Sequence, residues 1–456
     1  MAIVASTLKR IKSDPLACLG GSDCVNSIFA KAGHVWRKSL FDPAYTMKLF
    51  ILQVLHGNTA MAHLRHLNGT EVKENSYCDA RMRLPASGVA AVVESMCGGC
   101  YKSNQESRQW LGHRVKVADA TSASTPDEPV LQDLWPQPSE QKPGCGFPVI
   151  KLLGMLDLVR GMIVQLTLMS LSVHEMSQLP GLHAMLEAGD VLLADRGFCS
   201  FWHLAMLAKS SVNAVFRMHQ KQIVDFTPNR PHRQYKGKKY NRQRKGTPTS
   251  RYVRRLGHED HLVEWVRPAR KPDWMTAEQF AQMPGTLLIR ELRYHIAARG
   301  YRTRAVTIAT TLTDATRYSK REISRLYGLR WEIETNFRHI KTTMKMDHLK
   351  CQTVEGAIKE LMIFVLVYNV VRAAMVMAAD HQGVNPSSIS FIDALRRLQS
   401  LCQAPAVRRP IKLIVNPPRP GRSCPRVIKR RIKEYDLLNR PRNEYAQTSP
   451  ENEVAD

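Results

Sequence analysis

The chain has 456 residues, with 66 Lys and Arg against 40 Asp and Glu and a formal net charge of +26. Hydrophobic residues make up 44% and charged residues 23%, ordinary globular usage that excludes wholesale disorder and allows two to three domains with sizeable cores. So basic a chain calls for a polyanionic partner, and ten scattered cysteines exclude a disulfide framework in a reducing compartment.

The N-terminal stretch MAIVASTLKRIKSDP has too short an apolar run, in the wrong order, for a signal peptide, so a soluble cytoplasmic protein is expected. Residues 1–110 read as a helical N-terminal domain. Asp42 and Pro43 predict an N-cap and first-turn proline for a helix that stops at Gly57. Shorter helical patterns follow over 59–67 and 75–84, and a longer one runs from 87 to about 108. The unit is either a small bundle or a helix-turn-helix that contacts DNA. Cys97 and Cys100 form one CxxC. No second ligand pair follows, and His63, His66 and Cys78 stand at spacings that match no familiar zinc site.

From His113 the period changes. HRVKVAD alternates as a strand ending at Asp119, and IKLLGMLDL and GMIVQLTLM form a hairpin around Val159, Arg160 and Gly161. A helical pattern over 173–188 is broken at Pro180. DVLLAD is a short buried strand ending at Asp195, followed by a helix and the strand NAVFRM. This order is the first part, 111–219, of a ribonuclease H-like α/β core. Residues 220–312 read as a β-rich basic insertion, with LVEWV, TLLIRELRYHIA and TRAVTIATTL as its strands. The second part of the core, 313–402, opens with a capping box from Ser319 to Glu322. That helix is predicted to run to about Met346, ahead of an apolar helix over 354–379. Asn369 and Arg372 inside the most apolar stretch predict a buried helix rather than a membrane span. Residues 403–456 form a basic C-terminal tail.

Two segments carry most of the excess charge. Residues 229–255 hold eleven Lys and Arg and no acid, and residues 408–442 hold twelve against Glu434 and Asp436. Tyr235, Tyr240, Tyr252 and Tyr435 are interleaved with Pro and Gly, a composition suited to tracking a phosphate backbone. The partner is then DNA or RNA.

In YGLRWEIETNFRHIK, Tyr327, Arg330, Glu334 and Lys341 fall within about 60° of each other on an ideal helix. An exposed i,i+4 pair of Arg330 with Glu334 would account for that helix alone. Two strand-end acids change the reading. Phosphodiester chemistry without a protein nucleophile uses several carboxylates to hold two Mg2+ ions about 3.5 to 4 Å apart, and Asp119, Asp195 and Glu334 are the hard oxygen ligands Mg2+ takes. Asp127, Asp157 and Asp190 are rival acids. Asp190 begins its strand and Asp157 sits by the hairpin, both structural positions, and Asp127 is placed to orient the loop after Asp119.

DATSASTPD around Asp119, LLADRGF around Asp195 and the signature Y-x2-R-x3-E-x6-K from Tyr327 to Lys341 resemble the DDE transposases of bacterial insertion sequences, specifically the insertion sequence 4 family. FDPAYTMKLFILQVLHG, YCDARMRLP and the tail PPRPGRSCPRVIKRRIKEYDLLNRPR extend the resemblance over nearly the whole chain. It implies a ribonuclease H-like domain in which Asp119, Asp195 and Glu334 bind two Mg2+ ions, with Mn2+ as a substitute. It also implies cut-and-paste transposition of inverted-repeat ends, in which water frees a 3′-hydroxyl that attacks target DNA in line. Tyr327, Arg330 and Lys341, with Arg196 beside the second acid, would contact DNA phosphates, and a homodimer would form on double-stranded DNA in the nucleoid. Many such enzymes pass through a hairpin, helped by a tryptophan that stacks on a flipped base. AVTIATTLTDATRYS has no Trp there, which leaves Trp265 and Trp274 as stacking or core residues. Trp331 is expected to pack on the sheet. The alternatives are a non-cleaving DNA-binding protein derived from a transposase and a ribonuclease H-like nuclease without strand transfer.

Overall fold

The computed structural model describes residues 21–37, 39–69, 71–102, 109–233, 246–296, 305–401, 412–417 and 435–447. Tyr235, Tyr240, most cations of both basic segments and the side chains of Cys97 and Cys100 lie outside them. The chain opens with five helices: α1 (Ser22–Lys31), α2 (Pro43–Leu55), α3 (Leu64–Asn68), α4 (Glu74–Arg83) and α5 (Ala86–Lys102). Asp42 caps α2 by accepting the Tyr45 N–H at 2.7 Å, with Pro43 in the first turn, as its sequence predicts. Gly88 lets α5 approach α1, since a Cβ there would lie 2.4 Å from the Phe29 ring.

The middle of the chain builds one mixed α/β layer. Its strands are β1 (Val115–Ser124), β2 (Val149–Asp157), β3 (Ile163–Ser170), β4 (Val191–Ala194), β5 (Asn213–Arg217), β6 (Arg251–Gly257), β7 (Asp260–Val266), β8 (Thr286–His295) and β9 (Ala305–Thr310). They form a single nine-stranded sheet in the order β3-β2-β1-β4-β5-β9-β8-β7-β6. β1, β4 and β5 run parallel and every other pairing is antiparallel. The strands of the basic region thus continue the sheet through β9, which hydrogen-bonds directly to β5. Helices α6 (Pro129–Leu134), α7 (Glu175–Leu182), α8 (Phe201–Lys209) and α9 (Ala277–Ala281) lie between strands. They are followed by α10 (Lys320–Leu329), α11 (Trp331–Arg338), α12 (Val354–Gln382), α13 (Phe391–Leu401) and α14 (Arg442–Gln447).

Two details correct the sequence reading. β1 does not end at Asp119 but continues to Ser124, because β2 pairs with it as far as Ser124 while β4 stops at Ala194. The helix predicted from Ser319 to about Met346 is interrupted. The capping box of Ser319 and Glu322 is present, but near Gly328 the bonding changes to i→i−3, from Arg330 N to Tyr327 O and from Ile333 N to Arg330 O. A π turn over His339–Thr343 then ends the element.

α12 is apolar all round and long enough to cross a membrane by length and composition, yet 78% of its most apolar window is buried within the protein, the placement such a helix has in a core. One side packs on the sheet and another on α2 and α5. Its polar residues are tie points. Lys359 Nζ donates to the carbonyls of Arg81, Met82 and Leu84, closing the end of α4. Glu360 accepts from Asn58 Nδ2 and from the N–H groups of Lys350 and Cys351. Asn369 clamps the start of β3, accepting from Ile163 N at 2.9 Å and donating to Ile163 O at 2.8 Å. Arg372 Nε donates to Arg160 O and Tyr368 Oη to Gly161 O. Replacing Asn369 by Ala removes both of these buried hydrogen bonds, so Asn369→Ala should cost about 1–3 kcal/mol in chemical denaturation; a loss below about 0.5 kcal/mol would show that the clamp does not matter.

Candidate active site at the strand ends

The parallel register of β1 and β4 closes with Ala118 opposite Ala194, so Asp119 and Asp195 are the next residues on adjacent strands. Val115, Val117, Val191 and Leu193 belong to the core beneath α10–α12, whereas Ala118, Leu192 and Ala194 face the opposite core. The two-residue period of a strand therefore turns both aspartates toward α10 and α11. This is the carboxyl edge of the parallel strands, where open α/β sheets place their ligands.

The helices answer with complementary groups. Arg330, at the junction of α10 and α11, donates from Nη1 to Asp119 Oδ2 at 3.1 Å and from Nη2 to Glu334 Oε1 at 3.1 Å. Tyr327 Oη donates to Asp195 Oδ1 at 3.4 Å. The other oxygen of Asp119 accepts the N–H of Ala120 at 2.8 Å. Burial pushes the Asp119 carboxyl up to about 6. Arg330 and the Ala120 N–H oppose the rise, and the nearby charges of Asp195 and Glu334 add to it. Burial likewise raises the Tyr327 phenol, so it remains a donor. The Glu334 side chain is 42% exposed while that of Arg330 is 9% exposed, which leaves the site open to solvent on the acid side.

The structure thus brings Asp119, Asp195, Glu334, Tyr327 and Arg330 together. Lys341 lies in the π turn, half-buried; the ideal periodicity assumed for it is interrupted at Arg330 and again at His339. Arg196 is exposed and donates to Gln220 Oε1 at 3.1 Å. The rival acids have structural partners. Asp190 is buried between Arg114 and Lys116 at 2.8 and 2.9 Å, Asp157 accepts the Arg160 N–H, and Asp127 accepts from Gln132 and Arg442. Trp265 is core and donates to Glu291 Oε1 at 2.8 Å, and Trp274 stacks on the His203 ring. Trp331 does not pack away on the sheet as expected: it is 45% exposed, because the break at Arg330 opens α11 with this residue on its outer side.

Two positions escaped the sequence reading. Arg217 ends β5, one strand beyond Asp195, and its charge acts on the Tyr327 phenol; a cation at the end of NAVFRM was the available signal. Gly154 pairs with Asp119 across β1 and β2, and a Cβ there would lie 3.1 Å from the Phe337 ring of α11. Its lack of a side chain seats the helix that carries Glu334.

Among the described residues no three His, Cys, Asp or Glu side chains stand close enough to hold an ion. At this site Arg330 occupies the space between two of the acids. The donor chemistry still fits a hard divalent cation: Arg330 links the Asp119 and Glu334 carboxylates, and the Asp119 carboxyl, raised by burial and further by the charges of Asp195 and Glu334, is an oxygen donor that added positive charge would favour.

Residues 110–370 match the transposase DDE domain family. The chain belongs to that family. It is 25% identical over 385 residues to the transposase InsG for insertion sequence element IS4 of Escherichia coli (strain K12), covering 80% of this chain and 78% of that protein. The solved piggyBac transposase synaptic complex with hairpin DNA aligns with a TM-score of 0.45 at 11% identity, over 86% of this chain and 83% of that one, too distant to bear on the argument. The protein is therefore a DDE transposase, an enzyme of DNA cleavage and strand transfer, and its family generally uses divalent metal ions. Because Gly154 seats α11, Gly154→Val should cost about 1–3 kcal/mol of stability and slow DNA cleavage about 10- to 100-fold by shifting Glu334. Adding Phe337→Ala should return part of both losses in a double-mutant cycle, and strict additivity would refute the contact.

Proposed function

We propose that Asp119, Asp195 and Glu334 hold two Mg2+ ions, or Mn2+ in their place, and that the enzyme excises its element by cut-and-paste transposition at inverted-repeat ends. The observation that carries this reading is the meeting of three carboxylates from β1, from the residue after β4 and from α11 at one sheet edge, with Arg330 between two of them. The ions, when bound, would activate the attacking oxygen and take up charge on the leaving one.

The protein's own groups do the rest. The three carboxylates fix the donor geometry on two strands and a packed helix, so little reorganisation accompanies reaction. Arg330, with its planar fork, and the protonated Tyr327 hydroxyl grip phosphate oxygens of the element's end, with Lys341 and Arg196 adding charge. Held this way, the scissile phosphate lies in line first with a water and later with the freed 3′-hydroxyl, and orientation supplies much of the rate.

The chain is read as a helical unit over 1–110, a ribonuclease H-like core over 111–219 and 313–402, an intervening basic insertion over 220–312 and a tail over 403–456. The strand order β3-β2-β1-β4-β5, with β1, β4 and β5 parallel, supports the ribonuclease H-like assignment. A homodimer pairs two ends of double-stranded DNA in the nucleoid of the cytoplasm, and the basic segments track the backbone.

The test is cleavage of a duplex carrying the element's own flanking ends, in Mg2+ or Mn2+. Glu334→Gln and Asp195→Asn should each lower cleavage at least about 100-fold while DNA affinity stays within about threefold. Cleavage that survives both substitutions would place the chemistry elsewhere. Joining of the cut ends to target DNA separates a transposase from a nuclease without strand transfer, and binding without cleavage in either metal would favour the non-cleaving alternative.

A further inference from the structure

Arg330 has two incompatible attachments to satisfy. Its guanidinium bridges Asp119 and Glu334 at 3.1 Å each, with the side chain 9% exposed. We propose that Arg330 is a placeholder cation: it occupies the acids until phosphates of a transposon end draw it away, so that Asp119 and Glu334 become available to a divalent ion only once DNA is seated. This rests on the reading that these acids ligate metal.

The geometry supports it on several counts. Both oxygens of Asp119 are already engaged, Oδ2 by Arg330 and Oδ1 by the Ala120 N–H. One of the two oxygens of Glu334 is likewise held. The guanidinium is buried, so its charge is poorly screened and opposes a second cation beside it. Arg330 also stands where α10 gives way to α11 through i→i−3 bonds, two residues after Gly328, whose added Cβ would meet nothing within 4 Å. The same planar fork that pairs with two carboxylates pairs equally with a phosphate, so one group serves both states. Metal and DNA then bind with positive coupling, and linkage makes that coupling reciprocal. Free transposase carries little metal and has little capacity to nick DNA that is not seated.

The test is Mn2+ binding to the metal-free full-length protein, followed by loss of the free-ion paramagnetic resonance signal. Wild type, Arg330→Met and Arg330→Lys are compared, each alone and combined with Asp195→Asn or with Glu334→Gln. Without DNA, Arg330→Met should bind Mn2+ at least about tenfold more tightly than wild type, and Asp195→Asn should remove that gain. A duplex carrying the flanking ends should tighten Mn2+ binding about tenfold or more in wild type but less than about threefold in Arg330→Met. Arg330→Lys keeps the charge but cannot bridge both acids, so it should also exceed wild type, and it serves if the Met variant does not fold. Variants that bind Mn2+ no better than wild type, while Asp195→Asn still abolishes binding, would overturn the placeholder and leave the metal reading standing. Binding indifferent to both Asp195→Asn and Glu334→Gln in every background would remove the metal reading, and the placeholder with it.

Discussion

Like charges gathered where the parallel pairing of β1 and β4 ends are the constraint on which the structure turns. Asp119 and Asp195 stand side by side because β1 and β4 are in register up to Ala118 and Ala194, and Glu334 is brought to them by α11. Burial is the main cause of the elevated Asp119 carboxyl, and the nearby charges of Asp195 and Glu334 add to the rise. Arg330 offsets that cost without neutralising the site, since one guanidinium faces three acids. An arrangement that is unfavourable by itself and favourable with added cations is what phosphoryl-transfer chemistry requires.

The rest of the fold holds this arrangement rigid. α12 is packed between the sheet and the N-terminal helices, and its few polar residues are spent on fixed points: Lys359 on the end of α4, Glu360 on the turn after Lys350, Asn369 and Arg372 on the β2–β3 connection. β1, which carries Asp119, pairs with β2, and α11 rests on Gly154 of β2. Site geometry and core packing are thus joined through a shared strand. The same helix also joins the N-terminal helices to the sheet that carries Asp119.

Much of this was legible in the sequence because it rests on short-range rules. The apolar run DVLLAD placed Asp195 at a strand end, alternation in HRVKVAD put Asp119 on a strand though not at its end, and the spacing from Tyr327 to Glu334 put phenol, guanidinium and carboxylate on one face. Asn369 and Arg372 marked α12 as buried because buried polar groups need partners, and they have them. What escaped depends on long-range contacts. The break at Arg330 coincides with a guanidinium shared by a strand and a helix, and with it came the wrong expectation for Trp331. Gly154 reads as a featureless strand glycine until Phe337 is seen against it. The continuity of the sheet through β9 depends on a pairing with β5 across about ninety residues, which no local pattern reports.

Asp119, Asp195 and Glu334 are proposed as ligands of one metal site that DNA completes. The most direct measurement is anomalous scattering from Mn2+ in crystals of the protein bound to a duplex carrying its flanking ends. Two peaks about 3.5 to 4 Å apart are expected among these three carboxylates, with the Arg330 guanidinium moved onto a phosphate. Peaks elsewhere, or an Arg330 that still bridges Asp119 and Glu334 with DNA and metal both present, would contradict it.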